Sequence, residues 1–244
     1  MCIAGGRIDP TKHITFGKIE DSRSAQNKQL KQVKAHEHLF YEGDDRVCIY
    51  VVESGWVKLY RTLIDGQRQV VGFANAGSIL GLECDDTHVN GCETITPVTI
   101  RAIAGKSLRD ICQREPQLTE QLLHQVGRQL GAAQAQLAAV GAQSAEQKLA
   151  SFLLSIADLC DATLGGEFDL PMRRGDMAEF LGLRLETVSR KMSEFQRRGW
   201  IQMTSLYHCR IARRHMLQEL AEGGETVLAP IPPRTRPTTA GLAA

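Results

Sequence analysis

The chain lacks any run of about 18 consecutive apolar residues, so no membrane span is expected. Its seven cysteines, at positions 2, 48, 84, 92, 112, 160 and 209, include no C-x-x-C pair. That scatter excludes a zinc ribbon and argues against a secreted disulfide framework. No apolar segment follows Met1-Cys2-Ile3-Ala4-Gly5-Gly6, so neither a signal peptide nor a lipoprotein leader is expected, and the cytoplasm is the expected location. Charge of one sign is also missing: the formal net charge is +1, which by itself points to no partner. No Ser/His/Asp set, metal-binding His pair, G-x-G-x-x-G or P-loop occurs, and the seven histidines are dispersed. An enzyme acting on a small substrate is therefore not expected.

What is present is a chain of 244 residues, 43% hydrophobic and 23% charged, long enough for two modest domains. Residues 1–30 are polar and read as a flexible arm. From about Val33 to Ile103, short apolar runs (47–52, 56–60, 69–73 and 98–103) alternate with turn signals such as Glu53-Ser54-Gly55 and Asn75-Ala76-Gly77. This spacing predicts an antiparallel barrel or sandwich over 31–115, with Asp65-Gly66 as a two-residue hairpin turn.

Residues 116–144 contain one proline, at their start, and carry apolar or small residues at Leu122, Val126, Leu130, Ala133, Leu137 and Val140. Those steps draw one stripe along a helix of roughly 40 Å. Self-association as a coiled coil would bury the stripe, and packing along the chain's own barrel is the competing reading. A further helix is expected from Glu146, and a polar, proline-rich tail at 219–244 reads as disordered.

The most informative segment is 174–199. Met177, Ala178 and Leu181 give a first helix its inner face, and Gly182 permits a tight turn. A second helix starts near Leu185 with Val188, Met192 and Phe195 inward and Gly199 as its stop. Glu186, Ser189, Arg190 and Arg197 then face away. A guanidinium there can donate twice to guanine, and a carboxylate can accept from cytosine. The rival reading is an i,i+4 surface ion pair between Glu186 and Arg190. Between Pro171 and His215, ten Lys and Arg stand against four Asp and Glu, a local excess of six positive charges. Such a concentration fits a surface that tracks phosphates. Arg184, Lys191, Arg197, Arg210 and Arg213 are the candidate backbone contacts, with a β-hairpin over 200–212 as a wing.

Leu185-Glu186-Thr187-Val188-Ser189-Arg190 after Phe180-Leu181-Gly182-Leu183 resembles the recognition helix of the Crp–Fnr superfamily. Tyr41-Glu42-Gly43-Asp44 with 50–59, and Glu146 to Leu154, extend the likeness over about 35–215. The segment 168–172 is most similar to the FixK branch of the Fnr-like group. The resemblance implies an α+β chain: an N-terminal β jelly roll of cyclic-nucleotide-binding type (31–115), a dimerisation helix (116–144) and a C-terminal winged helix-turn-helix (145–218). It also implies a homodimer on double-stranded DNA that contacts RNA polymerase. Glu186, Ser189 and Arg190 would read half-sites of the form TTGAT, arranged as TTGAT-N4-ATCAA.

The family's nucleotide sensors grip phosphate with an Arg-Ser/Thr pair, yet no arginine occurs here between Arg68 and Arg101. An Fnr-type iron–sulfur cluster needs several arm cysteines, and the arm has only Cys2, with Thr99 at the fourth ligand's place. No cofactor is therefore expected. The alternative is a ligand- or redox-sensing relative with a different operator. In that version haem would use His88 or Cys84 on an exposed loop, or Cys209 would oxidise among the wing arginines.

Overall fold

The computed structural model describes residues 29–82, 86–104, 113, 123, 126–127, 143–160, 162, 167–205 and 207–223. The alternating runs form eight strands: β1 (Gln29–Val33), β2 (His38–Phe40), β3 (Cys48–Ser54), β4 (Val57–Thr62), β5 (Arg68–Ala74), β6 (Ile79–Leu80), β7 (Gly91–Thr94) and β8 (Val98–Ala104). They pair antiparallel in two sheets, ordered β1-β8-β3-β6 and β2-β7-β4-β5. One face of each sheet points inward, so Val33, Phe40, Val52, Val57, Leu59, Leu80, Cys92, Val98 and Ile100 close into one core.

Two sequence expectations change here. The expected arm ran to residue 30, but β1 already begins at Gln29, pairing Leu30 with Arg101. Leu30 is exposed, so β1 is held by its ladder to β8 and by Val33, which leaves little hydrophobic pattern to read. The β4–β5 connection is a three-residue loop rather than a two-residue turn. Leu63 N–H donates to Gln67 O (2.8 Å) and Gly66 N–H to Leu63 O (2.9 Å). Only Gly66 takes the left-handed conformation (φ 81°), while the Asp65 carboxylate accepts from Gln67 N–H (3.0 Å). A type I turn closed by a left-handed glycine satisfies the same strand twist.

Residues 113, 123, 126 and 127 are helical, and Leu123 and Val126 are exposed in the single chain. Leu122, Leu130, Ala133, Leu137 and Val140 lie outside the described residues.

The C-terminal part is built from α1 (Ala145–Leu159), β9 (Glu167–Asp169), α2 (Arg174–Leu181), α3 (Leu185–Arg197), β10 (Ile201–Met203), β11 (His208–Ile211) and α4 (Arg214–Ala221). Ser144 opens α1 with a reciprocal capping box: its hydroxyl accepts from Gln147 N–H (3.2 Å), and its own N–H donates to Gln147 Oε1 (2.6 Å). Leu149, Phe152, Leu153, Leu154 and Ile156 are all buried, because α1 is covered by α3, α4 and the roll together. The wing has a third strand that the hairpin reading missed, since β9 pairs with β11. α4 continues to Ala221, past the expected start of the tail at 219, because Leu217, Leu220 and Ala221 pack into the core.

A second apolar cluster joins Trp56, Val70, Phe73 and Ile95 of the roll to the helices. Phe73 of β5, Phe152 of α1 and Phe180 of α2 meet with ring centroids 5.4–5.8 Å apart. Among the described residues, no helix is long and apolar enough to cross a membrane.

Candidate nucleic-acid interface

The helix-turn-helix forms where local chemistry demands it. α2 ends at Gly182, whose left-handed backbone (φ 62°, ψ 41°) reverses the chain, and Leu183 N–H donates to Ala178 O (3.0 Å). α3 then runs for 13 residues with Val188, Met192 and Phe195 buried against α2 and α1. Its end is a Schellman motif: Gly199 N–H donates to Gln196 O (2.9 Å), Trp200 N–H to Phe195 O (3.0 Å), and Gly199 has φ 66°.

The outer face of α3 carries Glu186, Arg190, Ser193 and Arg197, all exposed and spaced 4, 3 and 4 apart, so they form one stripe. Ser189 is half-buried beside it, and its carbonyl accepts from the Ser193 hydroxyl (3.0 Å). No ion pair joins Glu186 to Arg190, and both side chains are exposed. Glu186 in the first turn and Arg197 in the last also suit the helix dipole. Ser193 belongs to this stripe and was not singled out from sequence. The signal was available, being the i+3 neighbour of Arg190.

The surrounding cations divide sharply. Arg184, at the N-cap of α3, and Arg213, at the N-cap of α4, are exposed. Lys191 does not belong with them. Its ammonium is largely buried between Glu194 (3.0 Å) and Glu146 of α1. Glu194 in turn holds Arg198, whose guanidinium lies 4.9 Å from the centre of the Trp200 ring. Lys191, expected from the sequence to meet the DNA backbone, is paired inside the domain and braces α3, because its position follows Arg190 by about 100° of helix and turns it toward α1. Burial pulls its pKa down, but hydrogen bonds to the two carboxylates outweigh this and hold it above its ordinary value. Burial likewise works against the Glu194 carboxylate, yet Lys191 and Arg198 keep its pKa below the usual range.

Arg210 is half-buried and donates to Gln202 across the wing. Arg214 is engaged by Asp158, and Arg174 is substantially buried, which lowers its pKa. Of the ten cations read from sequence, those that stand exposed and free around the stripe are Arg184, Arg190, Arg197 and Arg213.

Two sensing candidates take on a different character in the structure. Cys209 is fully buried on β11, and burial pushes its thiol up to about 12, outweighing the opposing effect of Arg174. The low-pKa, accessible thiolate needed for redox sensing is absent there. His88 is not on an exposed loop: it is buried, its ring stacked 3.7 Å from Phe40. Cys84 lies outside the described residues.

Comparison with known proteins agrees with this geometry. Residues 30–115 match the cyclic nucleotide-binding domain, and residues 147–220 match the Crp-like helix-turn-helix domain. The chain is 35% identical to the nitrogen fixation regulation protein FixK of Rhizobium meliloti over 188 residues, covering 77% of this chain and 84% of that protein. It is also 35% identical to the transcriptional activatory protein AadR of Rhodopseudomonas palustris over 196 residues, 79% of this chain and 78% of that one. The structure of FixK2 from Bradyrhizobium japonicum superposes with a TM-score of 0.73 at 27% identity, covering 79% of this chain and 96% of that one. TTHA1359 of Thermus thermophilus, at 21% identity and a TM-score of 0.62, shares the fold. A roll matching the cyclic nucleotide-binding domain joined to a Crp-like helix-turn-helix domain, with FixK relatives at 35% identity, makes this chain a member of the Crp/Fnr family, a FixK-like transcription regulator with a helix-turn-helix DNA-binding domain.

Proposed function

We propose that the protein acts as a homodimer that reads the palindrome TTGAT-N4-ATCAA through Glu186, Ser189 and Arg190 of each protomer and activates transcription by contacting RNA polymerase. The observation that carries this reading is the stripe on α3, which presents Glu186 and Arg190 unpaired on a helix fixed from behind. Arg190 donates to guanine, and Glu186 accepts from cytosine on the opposite strand. Arg184, Arg197 and Arg213 meet phosphates and set the register. Exposed Leu123 and Val126 on the helix before α1 support a partner helix at that face. Two-fold symmetry then requires recognition helices about 34 Å apart. The names of the relatives, nitrogen fixation regulation and fumarate and nitrate reduction regulation, support a role in oxygen-limited or nitrogen-oxide-related metabolism.

The test is a mobility shift on this palindrome without added ligand at ~150 mM salt, against scrambled DNA. Binding to the palindrome should exceed scrambled DNA by at least ~10³-fold. Arg190→Ala should cost ~1–3 kcal/mol and relax base choice at one position, whereas Arg213→Ala should weaken all sequences alike. Equal binding to palindrome and scrambled DNA would refute the reading.

A further inference from the structure

The helix-turn-helix does not hang free of the roll. Its first helix, α2, is seated on β5 through the Phe73–Phe180 contact, and α3 is docked on α2. Apolar contact resists separation but is non-directional, and it tolerates rocking. The angle must be set by directional bonds. Two of these are exposed, Gln69 donating to Glu179 O and Arg173 approaching His36 Nε2 (3.1 Å), and a third, Asn75 Nδ2 to Leu159 O (3.3 Å), is part-buried and reaches α1. The fourth is enclosed. Lys58 Nζ lies 2.7 Å from Asp176 Oδ1 of α2 and 3.5 Å from Glu93 Oε1 of β7, with side-chain exposures of 16%, 11% and 12% respectively.

Each end of this bridge is anchored. Glu93 is held within the roll by Arg68 (3.4 Å) and faces His38 (3.8 Å). The other oxygen of Asp176 accepts from Arg173 N–H (3.1 Å), tying the carboxylate to the backbone at the start of α2. One ammonium thus joins two strands of the roll, through Lys58 on β4 and Glu93 on β7, to the first turn of α2.

We propose that Lys58 is a positioning residue for operator binding: by bridging Glu93 of the roll to Asp176 of α2, it sets the angle at which α3 is presented and so the half-site separation the protein accepts. This rests on the two-half-site reading above. The lever is short and the tolerance small. Tilting the 13-residue α3, roughly 20 Å long, by about 10° moves its end by about 3.5 Å, one base-pair step.

The test uses full-length wild type, Lys58→Met, Lys58→Arg and Asp176→Asn on TTGAT half-sites separated by 3, 4 and 5 base pairs. Asparagine still accepts from Arg173 N–H, so Asp176→Asn removes the bridge while keeping the cap. Wild type and Lys58→Arg should favour one spacer by about tenfold or more, an energy comparable to one mismatched base pair. Lys58→Met and Asp176→Asn should bring the three spacers within about threefold of one another while still rejecting an altered half-site. An unchanged spacer profile in both variants, or a uniform loss across spacers, overturns the proposal. A second measurement does not depend on the operator. Spin labels on ketone-bearing residues at Thr62 and Ser193 should report one narrow roll-to-α3 distance in wild type and a broadened one in Lys58→Met. An unchanged distribution refutes the positioning role, whereas wild type without palindrome preference refutes only the dimer reading.

Discussion

Lys191→Met separates the bracing of α3 from its contact with DNA. Methionine keeps most of the aliphatic stem and removes the ammonium that joins Glu146 to Glu194. A hydrogen bond to a charged group contributes ~1.5–3 kcal/mol, and two are lost here. The full sum does not apply, because Glu194 keeps Arg198 and Glu146 is 30% exposed and can be rehydrated. A net loss of about 1–2 kcal/mol remains. For a chain of this length that lowers Tm by roughly 2–8 °C. DNA binding should respond differently. If Lys191 met a phosphate, removing it would flatten the slope of log K against log salt by about 0.9 per protomer. Since its ammonium is turned toward α1, the slope should stay at the wild-type value. Arg197→Ala, on the exposed stripe, should show the converse: an unmoved Tm and a slope reduced by about 0.9 per protomer. Thermal unfolding paired with salt-titrated fluorescence anisotropy reads both quantities. A flattened slope with unchanged Tm in Lys191→Met would show that the ammonium faces phosphate and that the bracing argument is wrong.

The same network predicts a pH window. The depressed Glu194 pKa contributes stability that is present above the ordinary carboxylate value and lost as pH falls through the lower folded one. The raised Lys191 pKa contributes stability present below the ordinary lysine value and lost as pH rises through the higher folded one. The Tm difference between wild type and Lys191→Met should therefore be flat from about pH 5 to 10 and shrink below about pH 4. A difference that persists undiminished to pH 3 contradicts it. Cys209, buried and with its thiol pushed up to about 12, should resist iodoacetamide at pH 7.5 until the protein unfolds. Alkylation of Cys209 in the native protein as fast as in urea, read by mass spectrometry, would refute that burial. Cys209→Ser should likewise leave the peroxide response of DNA binding unchanged.

The recognition helix was legible in the sequence because every signal it needs is local. Val188, Met192 and Phe195 mark the inner face, and Gly182 and Gly199 supply the left-handed residues at either end. The short strands were not. β6 has two residues, and β9 is recruited into the wing by β11, some 40 positions later. The pairing of Lys191 was hidden in the sequence for a different reason. Counting charges along 171–215 treats neighbours as equivalent, yet adjacent helical residues point about 100° apart. The corrective was present in the spacing: Lys191, Glu194 and Arg198 alternate in sign at i, i+3 and i+7, the pattern of a braced helix flank. The Lys58–Asp176 bridge had no such trace. It joins residues 118 apart, and nothing local to either distinguishes it from a solvated charge.

Three faces of α3 therefore carry three separate tasks. Val188, Met192 and Phe195 supply the apolar contact that holds the helix in the domain. Lys191, Glu194 and Arg198 fix its rotation about its own axis by pairing with α1 and stacking on Trp200. Glu186, Arg190 and Arg197 are left without an ion pair and Ser193 bonds only Ser189 O, so on the proposed reading their substitution should change recognition without a matching change in stability. A helix held only by its apolar face could roll by a fraction of a turn, and a roll of 20–30° would carry Arg190 away from a guanine edge that demands two aligned hydrogen bonds. The charged flank thus does for rotation about the helix axis what Lys58 is proposed to do for its tilt. Specific reading of a base pair needs both, because a bidentate contact loses its geometry to either motion.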